Sequence, residues 1–217
     1  MNDDELWAAI DVQRLRTVDV LEALTPREWE RPSLCAGWTV RDVAAHLTLQ
    51  QLTLGSALRG ALRHPGSVNH VINATARDRA SLPTDRIVAE IRGTVGSRRH
   101  NVGLTPHETL IDIVVHGQDI AVPTGHPLEV PPEVAATAAS RVWADRGTRK
   151  AKVFTALPSD GLRLAATDTD WSVGEGPEVR GPVLALLLLL TGRTVVLPQL
   201  EGEGAAALGE RLAAARH

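Results

Sequence analysis

The chain has 217 residues, of which 43% are hydrophobic and 23% charged, with a formal net charge of −3. That is enough apolar matter for one large domain or two small ones. It excludes a highly charged disordered chain, and the near-neutral balance carries no argument for nucleic-acid or membrane partners. Five Trp, one Phe and no Tyr leave a core of Leu, Ala and Val, which favours helices and removes tyrosine chemistry.

Taken in chain order, the N-terminal residues Met1 to Glu5 are acidic and polar, unlike a secretory signal, so a cytoplasmic location is expected. Asn2 or Asp3 caps a first helix with Leu6, Trp7, Ile10, Leu21 and Leu24 among its apolar positions. Thr25-Pro-Arg-Glu28 is a capping box that opens a short turn carrying Trp29. Residues 31–38 form a loop by their Pro and Gly. Thr39-Val-Arg-Asp42 is a second capping box, and its helix is expected to run to about Leu62. Helices over Val68 to Arg79 and Asp85 to Arg98 follow. Thr105-Pro-His-Glu108 opens another, through Ile120, stopped by Pro123 and Gly125, and Pro131 to Asp145 is a further helix.

The pattern changes near Gly147. Lys152 to Leu157, Leu162 to Thr167 and the stretch around Trp171 to Val179 read as short strands. Gly181 to Leu190 reads as a buried helix, ended at Thr191-Gly-Arg193, and Gly204 to Arg216 as a terminal one. The longest apolar run, Val183 to Leu190, is far too short to span a bilayer. The expected layout is a helical bundle over 1–148 and a small α+β part over 149–217.

The chemistry concentrates on two helices. Asp112 and His116 are four residues apart, which on a helix places them on one face, roughly 6 Å from each other. Asp119 follows on the same side and Glu108 extends the stripe one turn earlier. Such a stripe on a helix whose other flank is Ile111, Val114, Val115 and Ile120 costs burial energy unless a cation compensates it. His46, on the second-capping-box helix with Asp42 and Gln50, is the partner expected from a facing helix. His46, Asp112 and His116 make a two-histidine, one-carboxylate set with an open position. This suits Zn²⁺ first, and also Ni²⁺, Fe²⁺ or Mn²⁺. His107 faces away from His116. His64, His70, His100, His126 and His217 stand in polar or loop contexts, and Cys35, a candidate nucleophile by type, has no adjacent base and reads as a small loop residue.

The segment Arg31-Pro-Ser-Leu-Cys-Ala-Gly-Trp-Thr-Val-Arg-Asp-Val-Ala-Ala-His-Leu47 resembles the signature of the mycothiol-dependent maleylpyruvate isomerase family, within the DinB-like bundle superfamily. Residues 110–125 resemble its second motif. Asp170-Trp171, Val179 to Pro182 and Leu190 to Arg193 resemble its sterol-carrier-protein-like C-terminal region. The resemblance implies a mainly α fold, a DinB-like four-helix bundle followed by a sterol-carrier-like α+β element. It also implies a catalytic divalent metal, usually zinc, held by His46, Asp112 and His116. Family members with isomerase activity tend to carry Glu at the position of Asp112. Arg193 matches a C-terminal arginine that faces the active site in isomerase members; capping of the preceding helix is the competing role.

The charges suit a thiol mechanism. Two neutral imidazoles and a carboxylate leave a divalent ion at net +1, which favours a thiolate at neutral pH. The implied activity uses mycothiol as thiol cosubstrate, for S-transfer to, or isomerisation of, a small electrophile. Arg193 would pair with a substrate carboxylate, while Asp119 and Gln50 would orient a ligand histidine. Two alternatives stand beside it: a hydrolase with metal-activated water and Glu108 or Asp119 as base, and a non-enzymatic carrier. The expected partners are small molecules, with no nucleic acid and no membrane, and the chain is expected to be a monomer or homodimer.

Overall fold

The structure, a computed structural model, describes residues 1–51, 62–66, 68–148 and 161–214. The chain forms two compact units, Met1–Glu129 and Val130–His217.

In the first unit, α1 (Asp3–Ala23) is opened by Asn2, whose side chain accepts from the Glu5 N–H while the Glu5 carboxylate accepts from the Asn2 N–H. The short α2 (Pro26–Trp29) and α3 (Val40–Leu47) begin at the boxes of Thr25 and Thr39. Next come α4 (Val68–Ala80), α5 (Thr84–Arg92) and α6 (Pro106–Thr124). Helix α1 packs on α5 and α6, and α3 on α4, α5 and α6. Their inward faces bury Leu6, Ile10, Leu21, Val43, Leu47, Ile87, Ile91, Leu110 and Ile113. On α6, Gly117 permits the close approach of α1. A methyl group there would stand 3.2 Å from Thr17 Oγ1 and 3.3 Å from Leu128 Cδ1.

Three helix ends differ from the sequence expectation. Helix α3 stops at Leu47 instead of continuing to Leu62. Thr48 turns its hydroxyl back to the Ala45 carbonyl (2.7 Å), and the chain tightens into i→i+3 bonds; residues 52–61 of that expectation lie outside the described residues. Helix α6 runs past Ile120 to Thr124, with Pro123 inside its last turn. Proline tolerates this because the carbonyl it deprives, that of Asp119, accepts the Leu34 N–H (3.3 Å) instead. Gly125, at φ 76°, then ends the helix in the left-handed conformation, and the His126 N–H returns to Ala121 O. Helix α5 ends at Arg92, earlier than Arg98, where Gly93 caps it.

The second unit begins with α7 (Pro132–Ala144). The sequence reading places this helix in the bundle, with a boundary near 148. In the structure it packs on the Leu-rich α8 (Val183–Leu190), and the units divide after Glu129. The physical reason is that α8 is apolar all round and needs cover. Strands β1 (Arg163–Ala166), β2 (Ser172–Val173) and β3 (Glu178–Gly181) form a sheet in the order β2-β1-β3. Leu164 pairs antiparallel with Val173 and parallel with Val179. Trp171 ties the sheet to α7 by donating to Ser140 Oγ (2.8 Å). A 3-10 turn (Thr194–Gln199), unforeseen in the sequence, and α9 (Glu203–Ala214) complete the unit. The strand expected over Lys152 to Leu157 lies outside the described residues, as does His217. No helix among the described residues is long and apolar enough to cross a membrane.

Candidate metal centre

The site lies within the first unit. The Thr39–Asp42 box sets the start of α3 and so fixes where His46 falls, near its end. Helix α6 presents Asp112 and His116 one turn apart. The His46 Nε2 atom lies 3.2 Å from Asp112 Oδ1, and the His116 Nε2 atom lies 3.4 Å from the same oxygen. The two imidazole rings meet edge to face, with centroids 4.9 Å apart. One donor atom from each of the three residues lies within 4.8 Å of the other two. Ligands bonded at about 2.0–2.2 Å to a tetrahedral ion stand about 3.3–3.6 Å apart, so the donors present fit a divalent cation by spacing as well as by type. Among the described residues this is the one group of three or more His, Cys, Asp or Glu so gathered.

The surroundings are partly closed. The side chains of His46 and His116 are 16% exposed and that of Asp112 is 29% exposed. Burial pushes the Asp112 carboxyl up. The two imidazoles, together with the Gln50 amide, outweigh that and hold it well below the usual carboxylate range. Gln50 Nε2 donates to Asp112 Oδ2 (2.8 Å). Gln50 therefore steadies the carboxylate, in place of the histidine-orienting role expected from sequence. Asp119 does orient a histidine: its Oδ2 lies 2.8 Å from His116 Nδ1, and its side chain is fully buried. Its contact with the site runs through His116.

The other candidates make the following contacts. The Glu108 carboxylate accepts from the Thr105 N–H (2.7 Å) and hydroxyl in the box that opens α6, so a role as catalytic base competes with a structural one. Asp42 is likewise held by Thr39. Arg193 belongs to the second unit. Its N–H donates to Leu188 O (2.8 Å) and its Nη1 to Thr191 O (2.5 Å), after Gly192 at φ 92°. These are helix-end contacts, the competing role named from sequence. His64 pairs with Asp78 (2.8 Å), His126 faces Glu28, and His100 stacks on Trp7. Cys35 sits in the turn of the 33–38 loop. Sequence reasoning missed Trp38 as a wall of the site. Its indole stands 5.3 Å from the His46 ring and 6.4 Å from the His116 ring, centroid to centroid. Only its place one residue before the Thr39 cap hinted at it.

Residues 11–109 match the family described as the mycothiol maleylpyruvate isomerase N-terminal domain. The match covers somewhat less than half of the chain. The matched domain takes in His46 and its helix, and ends before Asp112 and His116. Two solved structures are similar over 94% of this chain and 94% of theirs. One is a histidine-to-alanine mutant of mycothiol-dependent maleylpyruvate isomerase, at 14% identity and a TM-score of 0.65. The other is mycothiol-dependent maleylpyruvate isomerase itself, at 15% identity and a TM-score of 0.63. At that identity the likeness is one of fold. It bears out the expected mainly α architecture with a small C-terminal sheet. No curated protein sequence matches the chain significantly.

Proposed function

We propose that the protein is a metal-dependent enzyme that activates a low-molecular-weight thiol, mycothiol, for isomerisation of a small electrophile or S-transfer to it. The observation that carries this reading is the convergence of His46 Nε2 and His116 Nε2 on one carboxylate oxygen, Asp112 Oδ1. The match of residues 11–109 to the mycothiol maleylpyruvate isomerase N-terminal domain supports the choice of thiol.

His46, Asp112 and His116 would hold the ion. A divalent cation in this set keeps one net positive charge and supplies the Lewis acidity that favours a thiolate over a thiol at neutral pH. The rest is done by the chain. Asp119 accepts the Nδ1–H of His116, which leaves the Nε2 lone pair of that ring facing Asp112. Gln50 occupies Asp112 Oδ2 and leaves Oδ1 directed at both imidazoles. The partial burial of all three side chains thins the water around them, which strengthens each of these interactions. A cytoplasmic setting, where thiols stay reduced, suits this chemistry.

The test is metal content of protein purified without added metal, compared with His46→Ala and His116→Ala, followed by thiol consumption with a generic electrophile. Stoichiometric metal in the wild type, lost from both variants, with turnover that requires thiol, is the expected result. Equal metal in all three proteins overturns the site, and turnover without thiol overturns the thiol chemistry in favour of hydrolysis.

A further inference from the structure

Resting on the metal-site reading above, we infer that Trp38 is a positioning residue for the centre: its indole, held by Asn73 and by the 31–39 loop, fixes the ring plane of His46 and walls His116.

The two histidines are held differently. A ligating imidazole is ordinarily oriented by a hydrogen bond at its other nitrogen. His116 has one, to Asp119. His46 does not: its Nδ1 is buried and has no hydrogen-bond partner among the described residues. The terminal torsion of a histidine is broad and roughly two-fold, so no hydrogen bond at Nδ1 holds the His46 Nε2 toward Asp112. Beside the contact of Nε2 with Asp112 Oδ1 itself (3.2 Å), ring packing is the restraint on the ring plane. Among the described residues, the rings against His46 are those of His116 and Trp38. Trp38 meets it at 65° with centroids 5.3 Å apart, and lies nearly parallel to His116, at 13° and 6.4 Å. Edge-to-face and offset parallel contacts at these separations are the favoured aromatic geometries. An imidazole that gives electron density to a cation also gains from lying over an indole face.

Trp38 is itself well held. Its Nε1–H donates to Asn73 Oδ1 (2.5 Å) on α4. Its carbonyl accepts the Ser33 N–H (2.9 Å) and hydroxyl, and its N–H donates to Cys35 O (3.0 Å). The loop is fastened to the ligand-bearing helix α6 at two points. Leu34 N–H bonds the Asp119 carbonyl left open by Pro123, and Arg31 Nη1 bonds the Pro123 carbonyl (2.9 Å). Trp38 is only 7% exposed. It thus refers the His46 ring to α6 and α4 at once.

The test titrates the metal-free full chain with Co²⁺ and reads both affinity and the visible d–d absorption, which reports ligand geometry. The proteins are wild type, Trp38→Leu, Trp38→Phe, Asn73→Leu and His46→Ala. Loss of an orienting partner ordinarily costs about 10–100-fold in metal affinity. Trp38→Leu is expected to show that loss with a changed band, Trp38→Phe to restore both because it keeps an aromatic face, and Asn73→Leu to shift the band with a smaller loss. Wild-type affinity and band in a folded Trp38→Leu overturn the inference. If Trp38→Leu does not fold, an unchanged band and affinity in Asn73→Leu overturn it instead. Absence of Co²⁺ binding by the wild type, or wild-type binding by His46→Ala, overturns the metal reading and with it this one. Where the wild type binds and His46→Ala does not, the Trp38 and Asn73 variants alone decide the positioning role.

Discussion

Asp112 is the residue on which the site turns, because both imidazoles and the Gln50 amide address its carboxylate. Asp112→Ala is expected to abolish stoichiometric metal, read by elemental analysis of the purified protein. Asp119→Ala leaves the three donors in place but frees the His116 ring. It is expected to weaken metal affinity about 10–100-fold, read by competition with a chelating dye. The depressed Asp112 carboxyl also has a consequence for the metal-free protein. A folded-state value below the unfolded one means that the unfolded chain binds more protons between the two. The stabilisation is therefore complete above the unfolded value of about 3.9 and is lost as pH falls through the folded one. Urea midpoints measured from pH 6 downward should fall more steeply below about pH 4 in metal-free wild type than in Asp112→Asn.

At the level of elements, capping boxes and one proline set the geometry. The Thr39 box fixes the start of α3 and hence the position of His46. Thr39→Ala should cost about 1 kcal/mol, measurable by denaturant titration. Pro123 opens the Asp119 carbonyl to Leu34, which fastens the Trp38 loop to α6. Helix α1 contributes a buried cation: Arg14 is fully buried, with Nη1 bonded to Asp11, to the Thr94 carbonyl (2.8 Å) and to the Ser97 carbonyl. These contacts secure the chain just after α5. Arg14→Ala removes charged hydrogen bonds, leaves carbonyls unpaired and opens a cavity. The expected loss is about 3 kcal/mol or more, seen as a lowered urea midpoint.

At the scale of the whole molecule, all three proposed donors come from the first unit, α3 supplying one and α6 two. A metal bound there would add stability to that unit by mass action, about 2.7 kcal/mol at a hundred-fold excess over Kd. Calorimetry should show an upward shift on adding metal to wild type and none for His116→Ala. Much of this molecule was legible in its sequence. The helix starts follow from local chemistry, a Thr or Asn side chain competing for its own backbone, and they stand where Asn2, Thr25, Thr39 and Thr105 predict. The pairing of Asp112 with His116 follows from helical period alone. Other features depended on neighbours distant in the chain. The end of α3, the assignment of α7 to the unit of α8 and the 3-10 turn each turn on such packing. So did the use of Gln50 on the carboxylate and of Trp38 against both imidazoles. The sequence by itself determined which residue types and which local periods were available. Tertiary structure decided which polar groups were already engaged and which rings met, because that depends on contacts between segments tens of residues apart.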